Sequence, residues 1–510
     1  MRSRARSAST EQRRVREGEE QQASAGGAGD GHTDAFEAVI GLEIHVQLAT
    51  ATKLFCGCEL SFGEPPNTRT CSVCLGLPGS LPVANARAVH FGLMIGLALG
   101  SDLAPRSIFH RKNYFYPDQA KNYQISQYDE PLCRGGSLEQ VRIHRVHLEE
   151  DAAKLIHVGS SGRIHGSDAS IVDFNRAGTP LAEIVSEPDI RTPEQASGWL
   201  KLLRSTLRRL GVSDVNMEEG SLRCDANISL RRAGTSELGV KTELKNMNSF
   251  RFIERGIRAE IERQQRILGE GGQITQETLH FDPASGALTS LRSKEEAHDY
   301  RYFPEPDLLP VAIDREMIEL AREAMPELPI ERAARLQSEL ELSSESAQRL
   351  AFASELGDYF EAALAAPVDP PPPAQMLANW LTGDLVARLG DGEEPQASRV
   401  QPAALAELVG LVAARRVSVG AGRQVLDRLV AEGGEPRAIV EAEGLAAMDG
   451  ADELAAIVAD AVRANADAAE RVREGNEKAI GPIVGHVMRE TKGRADGTEV
   501  SRLIHEQLGV

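Results

Sequence analysis

The sequence predicts an α+β protein: an antiparallel-sheet domain, then an all-helical domain, then a small helical tail. Three observations carry this. From Phe36 to about Glu305, short segments alternate apolar and polar residues between turn residues. Two amphipathic stretches interrupt them, Pro193 to Leu210 and about Phe250 to Leu268, with Ile253, Ile257 and Ile261 recurring every four residues in the second. From about Pro326 onward strand patterns vanish and Ala, Leu and Glu dominate. A chain of 510 residues exceeds one hydrophobic core. The expected division is 1–34, 35–325, 326–440 and 441–510.

Residues 1–34 are rich in Arg, Glu, Gln, Ser, Ala and Gly, with too few large apolar side chains to offset ordering entropy, and are read as a disordered extension. The chain is 41% hydrophobic, with no apolar run of transmembrane length and no signal-peptide core, so a soluble cytoplasmic protein is expected. A net charge of −19 argues against a generic nucleic-acid binder, because phosphate neutralisation needs Lys and Arg facing the ligand. RNA, if bound, must meet local basic faces.

The segment VIGLEIHVQL (39–48) sets Leu42, Ile44, Val46 and Leu48 against Glu43, His45 and Gln47. One such strand suits either a wet sheet face or a polar site. The pattern recurs. HLEEDAAK (147–154) carries Glu149, Glu150 and Asp151; TPLAEIVSEPD (179–189) carries Glu183 and Glu187 at a strand-like spacing; SLRCDANISL (221–230) sets Arg223, Asp225 and Asn227 on one face; KTELKN (241–246) does so with Lys241, Glu243 and Lys245. Acids this dense, accompanied by Arg, Lys and Asn, suit hard cations that bridge phosphates. Neither a phosphate-binding loop of the G-x-x-x-x-G-K-[ST] type nor a kinase catalytic loop occurs, so a carboxylate-lined sheet is the remaining way to run phosphoryl transfer.

Cys56, Cys58, Cys71 and Cys74 form C-x-C-x12-C-x2-C, a spacing that suits a structural tetrahedral Zn²⁺, with disulfides as the alternative. Cys133 and Cys224 are isolated and read as buried thiols. RKNYFYPDQAKNYQISQYDEPL (111–132) holds four of the seven tyrosines, Tyr114, Tyr116, Tyr123 and Tyr128, between Arg111, Lys112 and Lys121; the rings suit either core packing or stacking on a base. Gly159-Ser160-Ser161-Gly162, between Ile156-His157 and Ile164-His165, reads as a hairpin turn rather than a Ser-rich catalytic loop. Pro370 to Pro373 must be a loop between helices. Gly481-Pro482 opens a short helix with the stripe Ile483, Val484, Val487 and Met488, ended by Gly493 and decorated by His486, Arg489, Lys492 and Arg494.

Taken together, these strings, with CSVCLGLPGSLPV (71–83), NRAGTPLAEIVSEPDIR (175–191), MEEGSLRCDANISLR (217–231), DYRYFPEPDLLP (299–310), ANWLTGDL (378–385) and GPIVGHVMRETKGRA (481–495), resemble the bacterial B-subunit (GatB) family of tRNA-dependent amidotransferases from about Phe36 to Val510. The resemblance implies a cradle related to the glutamine synthetase fold, a helical domain and a YqeY-like tail that holds tRNA through the His486, Arg489, Lys492 and Arg494 cluster. It implies a carbon–nitrogen ligase that uses ATP and Mg²⁺ to phosphorylate the side-chain carboxylate of Glu-tRNA(Gln) or Asp-tRNA(Asn), after which ammonia displaces phosphate. Carried over residue by residue, the Mg²⁺ ligands are Glu43, His45, Glu150 and Glu183, with Glu149 beside them; Arg223 is assigned to phosphate and Asp225 to a second cation. Since some members lack the cysteine cluster, zinc is not required for the chemistry. The sequence offers no glutaminase cysteine, so the resemblance implies a heterotrimer with a separate glutaminase of the A-subunit type and a small bracing protein of the C-subunit type. The arginine-rich leader departs from the family core. A non-catalytic tRNA-binding scaffold is the competing reading, and the archaeal E-subunit type lacks room for its inserted domain.

Overall fold

In the computed structural model, residues 36–60, 63–158, 167–245, 247–293, 297–390, 393–447, 451–491 and 493–510 are described. The expected disordered extension, the 159–162 turn and Lys492 lie outside them. The strands are β1 (Phe36–Gln47), β2 (His110–Asn113), β3 (Tyr123–Ser126), β4 (Val141–Glu150), β5 (Lys154–Val158), β6 (Ala169–Asp173), β7 (Pro180–Ser186), β8 (Leu222–Arg232), β9 (Thr242–Lys245), β10 (Glu277–Phe281) and β11 (Leu288–Ser293), besides several two-residue pairings. A ten-stranded sheet runs β11-β10-β9-β8-β1-β7-β4 and continues through Cys133–Arg134 to Asp102–Leu103, with Ser137–Leu138 paired to β4 off this path. Its described pairings are antiparallel except β9 with β10.

Alternation decides what each face carries. Leu42, Ile44 and Val46 of β1 are buried with Val146 and Leu148 of β4, Ala182 and Ile184 of β7, and Ala226 and Ile228 of β8. Three helices cover this apolar face: α1 (Ala86–Ala98), α2 (Pro193–Arg209) and α3 (Phe250–Gly269). Thr192 caps α2 by accepting from the Gln195 N–H, with Pro193 in the first turn, and Ser249 caps α3 through the Phe252 N–H. The opposite, polar face looks toward the hairpin β2–β3.

The β5 strand pairs with β6, Ile156 opposite Ile171 and Val158 opposite Ala169. The expected turn between them, with Ile164 and His165, lies outside the described residues.

The helical part comprises α4 (Arg315–Glu323), α5 (Pro329–Leu340), α6 (Ser344–Phe352), α7 (Ser354–Leu364), α8 (Ala374–Asn379), α9 (Pro402–Ala413), α10 (Val419–Glu432), α11 (Pro436–Glu443), α12 (Ala451–Ala464), α13 (Ala466–Arg473), α14 (Gly481–Glu490) and α15 (Gly497–Leu508). Its buried apolar side chains form two clusters apart from that of the sheet, one within Leu336–Leu445 and one within Leu454–Leu508. After α8 the chain widens into a π-helical turn, Trp380–Leu385, where the Thr382 hydroxyl donates to the Ala378 carbonyl at 2.9 Å. The four-proline run joins α7 to α8. It packs so tightly on α9 that a Cβ at Gly410 would lie 2.0 Å from the Pro370 carbonyl oxygen. In α14, Ile483 and Val487 are buried, Val484 and Met488 partly so.

Arg332 of α5 is 1% exposed, with Nη1 2.8 Å from Asp358 and Nη2 2.7 Å from Glu361, both on α7. Asp358 also meets Arg209 of α2 at 3.2 Å, so one guanidinium cluster ties the sheet domain to the helices. The acids are partly exposed and re-solvate when orphaned, so Arg332→Ala costs mainly buried packing and hydrogen bonds, about 2 kcal/mol. Urea unfolding should show that loss, and an unchanged midpoint would contradict it.

Candidate active site

The polar face of the sheet builds a cavity of about 420 Å³. His45 of β1 lies directly across from Glu183 of β7, and Glu183 directly across from His147 of β4. Glu149 follows two residues after His147 on the same face. His45 Nε2 is 3.5 Å from both Glu149 Oε1 and Glu183 Oε2, and His147 Nε2 is 3.3 Å from Glu183 Oε2. Ser126 of β3 donates to Glu149 at 3.2 Å. One ligand atom from each of His45, Glu149 and Glu183 lies within 4.8 Å of the others.

Burial opposes charge on both imidazoles, yet the Glu183 and Glu149 carboxylates more than offset it, lifting His45 to about 9 and raising His147 also. Burial likewise pushes the carboxyls up. The imidazoles outweigh it, holding Glu183 well below and Glu149 below the usual range. This balance of two buried acids and two bases is what a divalent cation replaces when it takes over from protons. Two carboxylates and an imidazole, beside space for water, fit Mg²⁺ or Mn²⁺.

Around this cluster the cavity is cationic and aromatic. Lys112, Arg145, Lys241 and Lys245 line it with Tyr128, Tyr300 and Tyr302. Tyr128 stacks on Tyr302, centroids 4.3 Å apart and planes 7° from parallel, and Lys112 Nζ sits 4.9 Å over Tyr300. Glu43 is on the same wall, accepting from Asn227 Nδ2 at 2.9 Å. Arg223 reaches buried Asp151 at 3.1 Å and Asp225 pairs with Lys245 at 2.6 Å; both line an adjoining cavity that also touches His45.

Of the expected Mg²⁺ ligands, His45 and Glu183 come together and Glu43 stands on the same cavity wall. Glu150 does not join them. As the residue after Glu149 in a strand it points away from the cavity, and its carboxylate takes Lys121 and accepts the Ile125 N–H at 2.8 Å. Glu149 stands in its place. Glu187 also leaves the site face: a bulge between Val185 and Ser186 ends the alternation, and Glu187 meets His144 at 2.9 Å near the surface. Sequence reasoning misses His147 and Arg145, although a period-two count back from Glu149 in VRIHRVHLEE puts both on its face. Tyr300 and Tyr302 carry no local signal, because their place depends on Phe303–Pro304 pairing with β2.

The four cysteine sulfurs also approach within 4.8 Å of one another. Cys71 and Cys74 are 3.9 Å apart, near the ~3.8 Å that tetrahedral Zn–S bonds impose. All six cysteines are free thiols, so the disulfide alternative is not realised. A hydrogen bond from Cys56, the Cys71 N–H and nearby Lys53 hold Cys74 down at about 4 despite burial, while the same bond pushes Cys56 up. A thiolate is thus ready for a cation.

In the tail, Arg489 is exposed on α14, His486 Nδ1 lies 3.3 Å from Asn465 Nδ2, and Arg494 donates to the Thr491 carbonyl at 3.1 Å.

An acid- and imidazole-lined cavity on an antiparallel sheet, followed by helices, defines the class. Residues 38–319 match the family model described as the GatB/GatE catalytic domain, and residues 358–508 match the GatB domain. The chain belongs to the GatB family, the B subunits of aspartyl/glutamyl-tRNA(Asn/Gln) amidotransferases. It is 48% identical to the family member from Anaeromyxobacter sp. (strain K), covering 93% of this chain and 99% of that protein. It is 49% identical to those of Frankia casuarinae and Thermobifida fusca, covering 93% of this chain each time and 96% and 94% of those proteins. Among the described residues no helix is long and apolar enough to cross a membrane.

Proposed function

We propose that this chain is the ATP-using component of a cytoplasmic amidotransferase acting on Glu-tRNA(Gln) or Asp-tRNA(Asn). ATP phosphorylates the side-chain carboxylate of the aminoacyl group, and ammonia then displaces phosphate to leave the amide. The observation that carries this is the cluster of half-buried His45 with buried Glu149 and Glu183 inside a cavity ringed by Lys112, Arg145, Lys241 and Lys245. Bringing a triphosphate against a carboxylate joins two anions, and that ring of cations lowers the repulsion as the oxygens approach in line. A divalent cation held by His45, Glu149 and Glu183, with Glu43 near, would add Lewis-acid charge neutralisation there. The competing scaffold reading has no use for carboxylates kept ionised in a buried site.

Ammonia must come from elsewhere. Cys133 and Cys224 are buried, which pushes Cys133 up to about 12 and Cys224 well above the usual thiol value, and the other four cysteines form the metal cluster. No cysteine of the chain is therefore suited to attack glutamine. This supports a partner glutaminase of the A-subunit type, with a bracing protein of the C-subunit type completing a heterotrimer. The four thiols hold a structural Zn²⁺ in this reading, closed to substrate because all four positions are sulfur.

The heterotrimer should convert Glu-tRNA(Gln) or Asp-tRNA(Asn) to its amide only with ATP and glutamine. Formation of neither amide would reject the reading. Removing residues from Glu441 onward should weaken tRNA binding at least tenfold while glutaminase activity persists, since Arg489 and its basic neighbours would leave with the tail. Unaltered tRNA affinity would remove the tail from the binding surface.

A further inference from the structure

A separate cavity, about 870 Å³, lies between α2 of the sheet domain and the α6 and α7 pair of the helical part, and shares no residue with the acid- and imidazole-lined one. Helical spacing puts one face of each helix into its wall. On α2 these are Lys201, Arg204, Ser205 and Arg208; on α6 they are Glu345, Gln348, Arg349 and Phe352, positions i, i+3, i+4 and i+7 in both. The start of α7 adds a third side. Ala353, Ser354 and Leu356 line the cavity, and no side chain caps this 11-residue helix at Ala353, so its first-turn N–H groups and the positive end of its dipole are offered there. Ser205 is 6% exposed, yet its Oγ has no hydrogen-bond partner, whereas the neighbouring Thr206 hydroxyl donates to the Leu202 carbonyl at 2.9 Å. A buried hydroxyl left in that state costs free energy until a ligand takes it.

Charge supplies the class of occupant. Neither Lys201 nor Arg204 forms an ion pair with a described carboxylate, and Arg204 donates through Nε to the Val215 carbonyl at 3.0 Å. Burial and the adjacent Arg208 pull Arg204 below the usual arginine range, the mark of a cation short of an anion. Of the three carboxylates in the wall, Glu355 is taken by Arg208 at 2.5 Å, burial and the Glu355 charge push Glu394 up, and Glu345 is exposed. Ammonium, guanidinium, hydroxyl and helix N–H donors arriving from three sides suit an oxyanion with three or more acceptor oxygens, and Phe352 and Leu356 offer apolar contact to the group that bears it. We propose that this cavity binds a small organic phosphate ester, its phosphate held by Lys201, Arg204, Ser205 and the start of α7, so that the ligand bridges the sheet domain and the helices.

Phenyl phosphate, titrated calorimetrically into the full chain in Mg²⁺-free buffer, probes the site. Lys201→Glu should weaken its binding at least about tenfold and Ser205→Ala at least about threefold, the second without lowering Tm, because the hydroxyl it removes has no partner in the protein. Lys201 is exposed, so its reversal should leave the fold in place. Lys112→Met, in the other cavity, should keep the affinity within about twofold, and inorganic phosphate should bind about fivefold more weakly than the ester, since it lacks the ring that Phe352 and Leu356 would meet. No binding by the wild-type chain, an affinity within twofold of wild type in Lys201→Glu, or a loss in Lys112→Met instead would overturn the site. Inorganic phosphate binding as tightly as phenyl phosphate would overturn the ester as occupant. So would displacement of the probe by tRNA, which would give the cavity to an RNA backbone.

Discussion

Glu149→Gln in the assembled complex is expected to lower Glu-tRNA(Gln)-dependent ATP hydrolysis at least about a hundredfold, and His45→Ala equally, with tRNA binding and partner glutaminase activity kept. Losing one preorganised electrostatic group at a reacting phosphoryl costs on the order of 3 kcal/mol of transition-state stabilisation. Both side chains sit on a rigid, paired part of the sheet, so the substitutions should leave the fold in place. The sharper comparison is with Glu150→Gln. Mn²⁺ binding, followed by electron paramagnetic resonance, should weaken in Glu149→Gln and stay near wild type in Glu150→Gln, because Glu150 is paired with Lys121 and does not line the cavity. Hydrolysis within threefold of wild type in both Glu149→Gln and His45→Ala would reject the site. Weakened Mn²⁺ binding in Glu150→Gln alone would restore the ligand set expected from sequence.

The Cys71→Ser/Cys74→Ser double variant should take the purified chain from about one zinc to none and lower its Tm by at least about 5 °C. A closed four-thiolate site contributes folding energy outright, and a loss of about 2 kcal/mol already moves a domain of this size by several degrees. The module is braced where it matters. The Leu54 N–H donates to the Gly178 carbonyl at 2.8 Å, and buried Lys53 donates to the Phe174 carbonyl at 3.1 Å, just ahead of β7 and its Glu183. Some of the lost order should therefore reach the cavity and show as a raised KM for ATP. Metal analysis that finds no zinc in the wild-type chain, with Tm unmoved in the variant, would remove the metal and leave four packed thiols.

The strands were legible because alternation is a local property: VIGLEIHVQL predicts which of its residues are buried, and Leu42, Ile44 and Val46 are. The helices over 193–210 and 250–268 were legible from their amphipathic patterns, the second through the Ile253, Ile257 and Ile261 spacing. Choosing between Glu149 and Glu150 needed more, because two adjacent acids look alike until the partner strand fixes a face. Pairing of His147 with Glu183 does that, across a loop of more than thirty intervening residues. The bulge that turns Glu187 away is likewise a backbone event with no composition signal. The cationic ring was half visible: KTELKN announced Lys241 and Lys245, whereas Arg145 joins them only once β4 is in register.

Because the strands alternate with period two, the site works like a vernier: deleting one residue upstream of His147 within β4 would bring Leu148 and Glu150 to the cavity and turn His147 and Glu149 into the apolar layer. The chain would keep its acid count and lose its chemistry. Insertions and deletions should consequently be rejected within β1, β4, β7 and β8, even where they touch no functional side chain. A deletion scan scored for ATP hydrolysis would trace the sheet as a set of forbidden intervals.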